Sequence, residues 1–237
     1  MLRILRFLIR ILLRLIARFE IRGKENAPLT GGMILASNHI GILDIIMVYF
    51  AIDRTDLFIP VAEKWEKIGW IRWLGKQLNF LFVDRFNPDL KALRKMIALM
   101  EEGKCLVIAP EGTRSRVGSL IEGKPGVAYL AARSGFPVVP VAITGTEDKV
   151  ILGNLKRLRK SKVTLTGGNR FIIPPLPNKD RDAALQNYTD EIMCQIAALL
   201  PERYRGVYAE HPRLKELLSI HAPAAVPGGR TPPRAGQ

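Results

Sequence analysis

Asn38-His39-Ile40-Gly41-Ile42-Leu43-Asp44 sets an imidazole and a carboxylate five positions apart with only small and apolar residues between them. On one continuous helix five residues would rotate the two side chains about 140° apart, so they meet only if His39 lies in a bend and Asp44 in the first turns of a following helix. A carboxylate on one imidazole nitrogen fixes the tautomer and frees the other nitrogen to take a proton from a hydroxyl. A histidine and an aspartate alone are as readily structural as catalytic. Two features favour a general base at His39: it is the only histidine in the first 210 residues, and it follows an apolar strand pattern. No serine or cysteine pairs obviously with it as an enzyme nucleophile.

A second polar segment, Ala109-Pro110-Glu111-Gly112-Thr113-Arg114-Ser115-Arg116, comes straight after the apolar run Cys105–Ala109. Glycine lets a backbone approach an anion, and hydroxyl and guanidinium groups bind phosphate oxygens, so the composition suits anion recognition; a plain surface turn is the alternative. Arg85, just past a strand pattern, and Lys64, at the start of the tryptophan-bearing helix, add cations at the same sheet edge, unless they are solvated surface charges. Two cysteines 89 positions apart (Cys105 and Cys194) and three histidines (His39, His211 and His221) build neither a disulfide framework nor a multi-histidine metal site. No metal is expected, and the reducing cytoplasm is the expected compartment.

The elements that must position these groups follow from the hydrophobic pattern. Strands are expected at 33–37, 56–62, 80–83, 105–109, 137–143, 163–165 and 171–173. Helices are expected at 42–52, 65–77, from Asn87-Pro88 to Gly103, at 126–134 and at 182–200. Strands alternating with helices of 10–15 residues predict an α/β domain with a central, largely parallel sheet flanked by helices. Such sheets bind ligands beyond the carboxyl ends of their strands, where the polar breaks fall. The domain is expected to span 25–200, followed by a helical segment at 201–221. Residues 222–237, rich in Pro, Gly and Ala, read as a disordered tail.

Charge and apolarity are both high in this 237-residue chain: net +14, with 48% hydrophobic residues. Residues 1–24 hold seven Lys/Arg and one acid, hence +6, and 149–179 hold eight cations and no acid, hence +8. The rest of the chain is balanced. Arg3, Arg6, Arg10, Arg14 and Arg18 step by three or four, which keeps them within an arc of about 120° on a helix that is otherwise apolar. Regularly placed arginines fit neither a secretory signal nor a spanning helix, and predict an amphipathic helix over 1–24 lying in the headgroup plane of an anionic membrane. The alternative is a helix packed on the domain. The 149–179 run is a solvated loop, a second contact with anionic lipid, or a contact with donor phosphates. Trp65, Trp70 and Trp73 fall within nine residues and serve either a membrane contact or core packing.

Four ordered blocks, Asn-His-x-x-x-x-Asp at 38–44, Phe-x-x-Arg at 82–85, Pro-Glu-Gly-Thr-Arg-Ser at 110–115 and Val-Pro-Val-Ala-Ile at 139–143, resemble those of the glycerolipid acyltransferase family. Its best-known members are 1-acylglycerol-3-phosphate acyltransferases, and the resemblance spans roughly 25–175. It implies that His39 is the general base and Asp44 its orienting partner, that Arg85, Glu111, Gly112, Thr113 and Arg114 bind the acceptor's glycerol phosphate with Lys64 nearby, and that Pro140 is structural. Asn79 stands where a glycine commonly opens the second block, and Ala109 where an aromatic residue commonly precedes the third.

The implied reaction is direct acyl transfer from acyl-CoA or an acyl carrier protein to the sn-2 hydroxyl of a lysophospholipid, giving phosphatidic acid, with no cofactor beyond the thioester co-substrate. The expected setting is the cytoplasmic face of a membrane, as a peripheral protein. A lyso-ornithine lipid, another lysophospholipid or glycerol 3-phosphate are alternative acceptors. A non-catalytic basic module binding membrane or nucleic acid is the reading from a different class. Nucleic acid is not expected as a partner, because no motif interleaves aromatic and basic residues.

Overall fold

The computed structural model describes residues 2–84 and 90–221, with only the backbone described for 2–6 and 221. Arg85, the Asn87-Pro88 helix start and the expected 222–237 tail lie outside the described residues, and Arg3 and Arg6 are placed by backbone alone. The chain runs α1 (Leu2–Ile16), β1 (Ala17–Arg22), β2 (Met33–Ser37), α2 (Asp44–Ala51), β3 (Leu57–Ala62), α3 (Gly69–Leu78) and β4 (Phe80–Val83). It continues through α4 (Leu90–Glu101), β5 (Cys105–Ile108), α5 (Pro125–Ser134), β6 (Val138–Thr144), α6 (Asp148–Lys156), β7 (Ser161–Gly167), α7 (Arg181–Leu199) and α8 (Pro212–His221).

The strands form one seven-stranded sheet in the order β1-β7-β6-β2-β5-β3-β4. From β6 to β4 it is parallel, β6 and β7 pair antiparallel, and β1 runs parallel to β7. Central strands covered on both faces need apolar side chains on both, and β2, β5 and β6 supply nearly unbroken apolar runs. The pleat sorts them: Ile34, Ala36, Leu106 and Val138 face a layer of α4, α5, α7 and α8, while Met33, Leu35, Val107 and Val139 face α1, α2, α3 and α6. Pro140 sits in β6 without a ladder donor. Its carbonyl takes the Gly168 N–H just past the end of β7, so its missing N–H also points beyond that strand.

Three expectations are corrected. The helix expected over 1–24 ends at Ile16, because Phe19 and Ile21 alternate with charged residues and pair as a strand, Ala17 opposite Ser161 through Arg22 opposite Thr166. Arg18 therefore projects from a strand and is not on the helical arginine stripe. The 149–179 run is not one continuous loop: its first part is α6, seated on the core by Ile151, and its middle is β7, which contains the strand expected at 163–165. At 171–173 only Phe171 pairs, as an isolated bridge to Val138.

Helix α1 is anchored by Leu13, with Ile9 and Ile16 against the same core, while Phe7, Leu8, Ile11, Leu12 and Leu15 are exposed. At 100° per residue the exposed apolar side chains cover about 140° of the helix, with Arg10 and Arg14 between them and the buried edge. No helix among the described residues is long and apolar enough to cross a membrane.

Candidate active site

Strand β2 ends at Ser37, and the five residues after it are each tied down. Asn38 is buried and clasps the neighbouring strand: its Nδ2 donates to the Ile143 carbonyl (2.9 Å) and its Oδ1 accepts the Ile143 N–H (2.7 Å). His39 donates its backbone N–H to Glu111 Oε1 (2.8 Å), and its carbonyl accepts the Ser115 N–H (2.7 Å). Ile40 and Gly41 give their N–H groups to Asp44 Oδ2, and Ile42 gives its own to Asp148 Oδ1 (2.9 Å). The bend demanded by the five-residue spacing is therefore a hydrogen-bonded loop rather than a slack one.

Asp44 opens α2 fully buried, where the helix N-terminus favours a carboxylate. Its Oδ2 lies 3.2 Å from His39 Nδ1. An ionised carboxylate can only accept, so Nδ1 carries the proton and Nε2 presents its lone pair outward. The imidazole is 18% exposed, enough for substrate to reach it. Gly41 is required by the turn: a Cβ there would stand 1.9 Å from the Thr146 carbonyl oxygen, on the loop after β6.

Glu111 departs from the role the resemblance implies. Its side chain is fully buried, with Oε1 on the His39 N–H and Oε2 on the Ile121 N–H (3.1 Å), so it holds the histidine loop and does not reach out to bind acceptor phosphate. Burial pushes its carboxyl up to about 7. Gly112 follows at φ +66°, a left-handed turn that carries the chain out of the core. Thr113 is exposed and Arg114 half-buried, its Nη1 2.6 Å from Asp148 Oδ2. Asp148 thus joins the Ile42 N–H to Arg114, a positioning role the charge pattern of 148–180 hid.

His39, Asp44, Glu111, Arg114 and Asp148 are brought together by these contacts. Lys64 lies just past the carboxyl end of β3, at the same sheet edge, with its ammonium 5.6 Å from the Trp65 ring centroid. Trp65 sits on a 3-10 turn before α3, and Trp65, Trp70 and Trp73 are all exposed, which overturns the core-packing reading. Asn79, in place of a glycine, ends α3 at φ +56°, a left-handed cap that Asn tolerates better than most side chains. No group of three or more potential metal ligands occurs among the described residues.

Three comparisons bear on this geometry. A family model described as Acyltransferase matches residues 18–144. A 1-acyl-sn-glycerol-3-phosphate acyltransferase of Chlamydomonas reinhardtii is 31% identical over 179 residues, which cover 71% of this chain and 51% of that protein. Its counterpart in Bacillus subtilis is 27% identical over 180 residues, covering 75% and 87%. The chain therefore spans about half the length of the algal relative and most of the bacterial one. The crystal structure of the 1-acyl-sn-glycerophosphate acyltransferase PlsC from Thermotoga maritima superposes with a TM-score of 0.62 at 26% identity, covering 81% of this chain and 76% of that one. With the histidine and Glu-Gly-Thr-Arg loops joined at one sheet edge inside the matched segment, the chain belongs to the acyltransferase family.

Proposed function

We propose that the protein transfers a fatty acyl group from a thioester of coenzyme A or acyl carrier protein to the sn-2 hydroxyl of 1-acylglycerol 3-phosphate. The observation that carries this is the His39 Nδ1–Asp44 Oδ2 contact at 3.2 Å, which leaves Nε2 at the carboxyl edge of the parallel strands. Nε2 takes the hydroxyl proton as the oxygen attacks the thioester carbonyl. The C–S bond then breaks, and the imidazolium returns the proton to the departing thiolate. Asp44 keeps the ring oriented and faces the positive charge while it lasts. The proton circulates between hydroxyl, His39 and thiol, so the step needs no cofactor besides the thioester. Arg114, held by Asp148, points a guanidinium at the acceptor phosphate, with Lys64 and Arg85 as further cations of that site.

The acceptor is a membrane lipid, and the exposed apolar sector of α1 beside Arg10 and Arg14 supports seating on the cytoplasmic face of an anionic bilayer. The exposed tryptophans of the α3 region support a further contact in the headgroup layer. Purified protein given lysophosphatidate and an acyl thioester is expected to release free thiol and form phosphatidic acid. Full activity of the His39→Ala variant would overturn the mechanism.

A further inference from the structure

Leu158 stands where the local backbone favours glycine. Helix α6 closes in a Schellman motif: the Arg159 N–H donates to the Asn154 carbonyl (2.9 Å) and the Leu158 N–H to the Leu155 carbonyl (3.0 Å). Leu158 is the left-handed residue of that motif, at φ +52°, a strained setting for a γ-branched side chain. Packing does not offset the strain, since Leu158 is 94% exposed, the most exposed large apolar residue among the described ones. The turn is also held from beneath, by Asn154 Nδ2 donating to the buried Ser161 hydroxyl (3.0 Å). A rigid turn thus holds one leucine out into solvent.

The surroundings say what it meets. Lys156, Arg157, Arg159 and Lys160 flank it, all exposed, and no acidic residue falls between Asp148 and Asp180. Leu152 and Leu155 on the preceding turns of α6 are exposed as well. An apolar tip ringed by cations complements a surface that is anionic outside and apolar just below, which is a bilayer of anionic lipids. The strand register continues the same surface. Ser161 pairs with Ala17 and Lys162 with Arg18, so the turn lies beside the junction where α1 ends. Helices α1 and α6 also pack on the same face of the sheet.

We propose that the turn at Leu158 is a second membrane anchor, in which Leu158 inserts below the headgroups of anionic lipids while the four flanking cations pair with their phosphates. The proposal rests on the reading of α1 as an interfacial helix and fixes how the domain is oriented. With α1 and the α6–β7 turn both on the lipid, the domain is held at two separate points and cannot swivel about one helix. Asp148, at the other end of α6, bonds to Ile42 N–H and Arg114, so the anchored helix also carries the active-site loop.

Both native cysteines are buried, so a Leu158→Cys variant of the full chain takes a thiol-directed, environment-sensitive fluorophore at that one position. Phosphatidylglycerol-rich vesicles are expected to shift its emission to the blue, and pure phosphatidylcholine vesicles to leave it nearly unchanged. A Phe7→Cys variant labelled in the same way reports on α1. A blue shift at position 7 with a water-like spectrum at 158 on the same vesicles would overturn the second anchor and leave the first. Water-like spectra at both would overturn both.

Leu158→Gly separates anchoring from folding, because glycine relieves the left-handed strain. It is expected to melt at the same temperature or higher, to bind the anionic vesicles roughly three- to tenfold more weakly, and to keep full rate on a short-chain, monomeric acceptor. Unchanged vesicle affinity in that variant would count against the insertion.

Discussion

Glu111 reaches His39 through the backbone: its Oε1 accepts the His39 N–H at 2.8 Å, while its other oxygen accepts the Ile121 N–H. The second polar segment of the sequence therefore acts on the first by fixing where the histidine loop sits. The carboxyl that does so is buried and titrates near 7, against 4.5 in the unfolded chain. Between those two values the unfolded chain releases the proton first, so stability falls as pH rises from about 4.5 to about 7, by a few kcal/mol at about 1.4 kcal/mol per unit. Urea unfolding at pH 5 and pH 7.5 measures this, and the slope is expected to flatten in Glu111→Gln. That variant is also expected to be less stable at pH 5, by about 1–3 kcal/mol, because an amide cannot accept from both N–H groups.

Asp44 serves the ring and the loop at once, so its substitutions are expected to divide by chemistry. Asp44→Asn keeps the shape and can leave its amide oxygen at the Oδ2 position, with the NH2 group in place of Oδ1, so the ring and loop contacts survive while the negative charge that faces the imidazolium is lost. A loss of about 10²–10⁴-fold in kcat is expected, with little change in KM. His39→Ala is expected to fall at least as far, and the double variant no further than the worse single one, since the two residues act as a unit. Steady-state rates on the four proteins of that cycle test it.

Gly41 was the least legible member of the site in the sequence, where it read only as a small residue between two functional ones. Nothing in the local pattern reveals that the Thr146 carbonyl, a hundred positions away, occupies the space a Cβ would need. Gly41→Ala is expected to destabilise the fold by about 1–3 kcal/mol and to lower kcat by pushing the loop away from β6. A wild-type rate with a wild-type melting temperature would contradict the contact.

What the sequence revealed and what it hid divide along the same line. The parallel core was readable because β2, β5 and β6 are apolar on both faces, and the His39–Asp44 meeting because spacing alone demanded a bend. Glu111 was misplaced because the resemblance assigned its whole block to the acceptor phosphate, whereas its burial against the His39 and Ile121 N–H groups makes it structural. The end of α1 was missed because arginine spacing of three and four continues through Arg14 to Arg18, while the switch to alternation at Phe19 and Ile21 becomes decisive only once β7 supplies a partner. The charge run 149–179 concealed helix α6, since solvent-facing cations outnumber the residues, such as Ile151, that seat it, while the strand at 163–165 showed through it.

Arg54 is the structural counterpart at the opposite end of the sheet. Only 3% exposed, it donates to the carbonyls of Pro28, Gly31 and Gly103 and to the Asp56 carboxylate, joining the loops that precede β2, β3 and β5. Arg54→Ala removes the buried guanidinium that ties these loops together and is expected to destabilise by about 1–3 kcal/mol. The variant that still folds at low temperature is expected to keep its KM for both substrates. A thermal melt set beside initial rates at 15 °C and 25 °C checks both halves.

Arg114 provides the test of which acceptor group the site reads. Asp148 accepts one guanidinium N–H at 2.6 Å and leaves the others for the substrate, so a phosphomonoester would meet a donor that is already oriented. Arg114→Ala is expected to raise KM for lysophosphatidate about tenfold or more, and to leave the low rate on an uncharged monoacylglycerol unchanged. Asp148→Asn keeps an oxygen for the Ile42 N–H but loses the ion pair, and is expected to raise KM less than Arg114→Ala does. Equal losses on charged and uncharged acceptors would assign Arg114 to holding the loop, and would remove it from phosphate recognition.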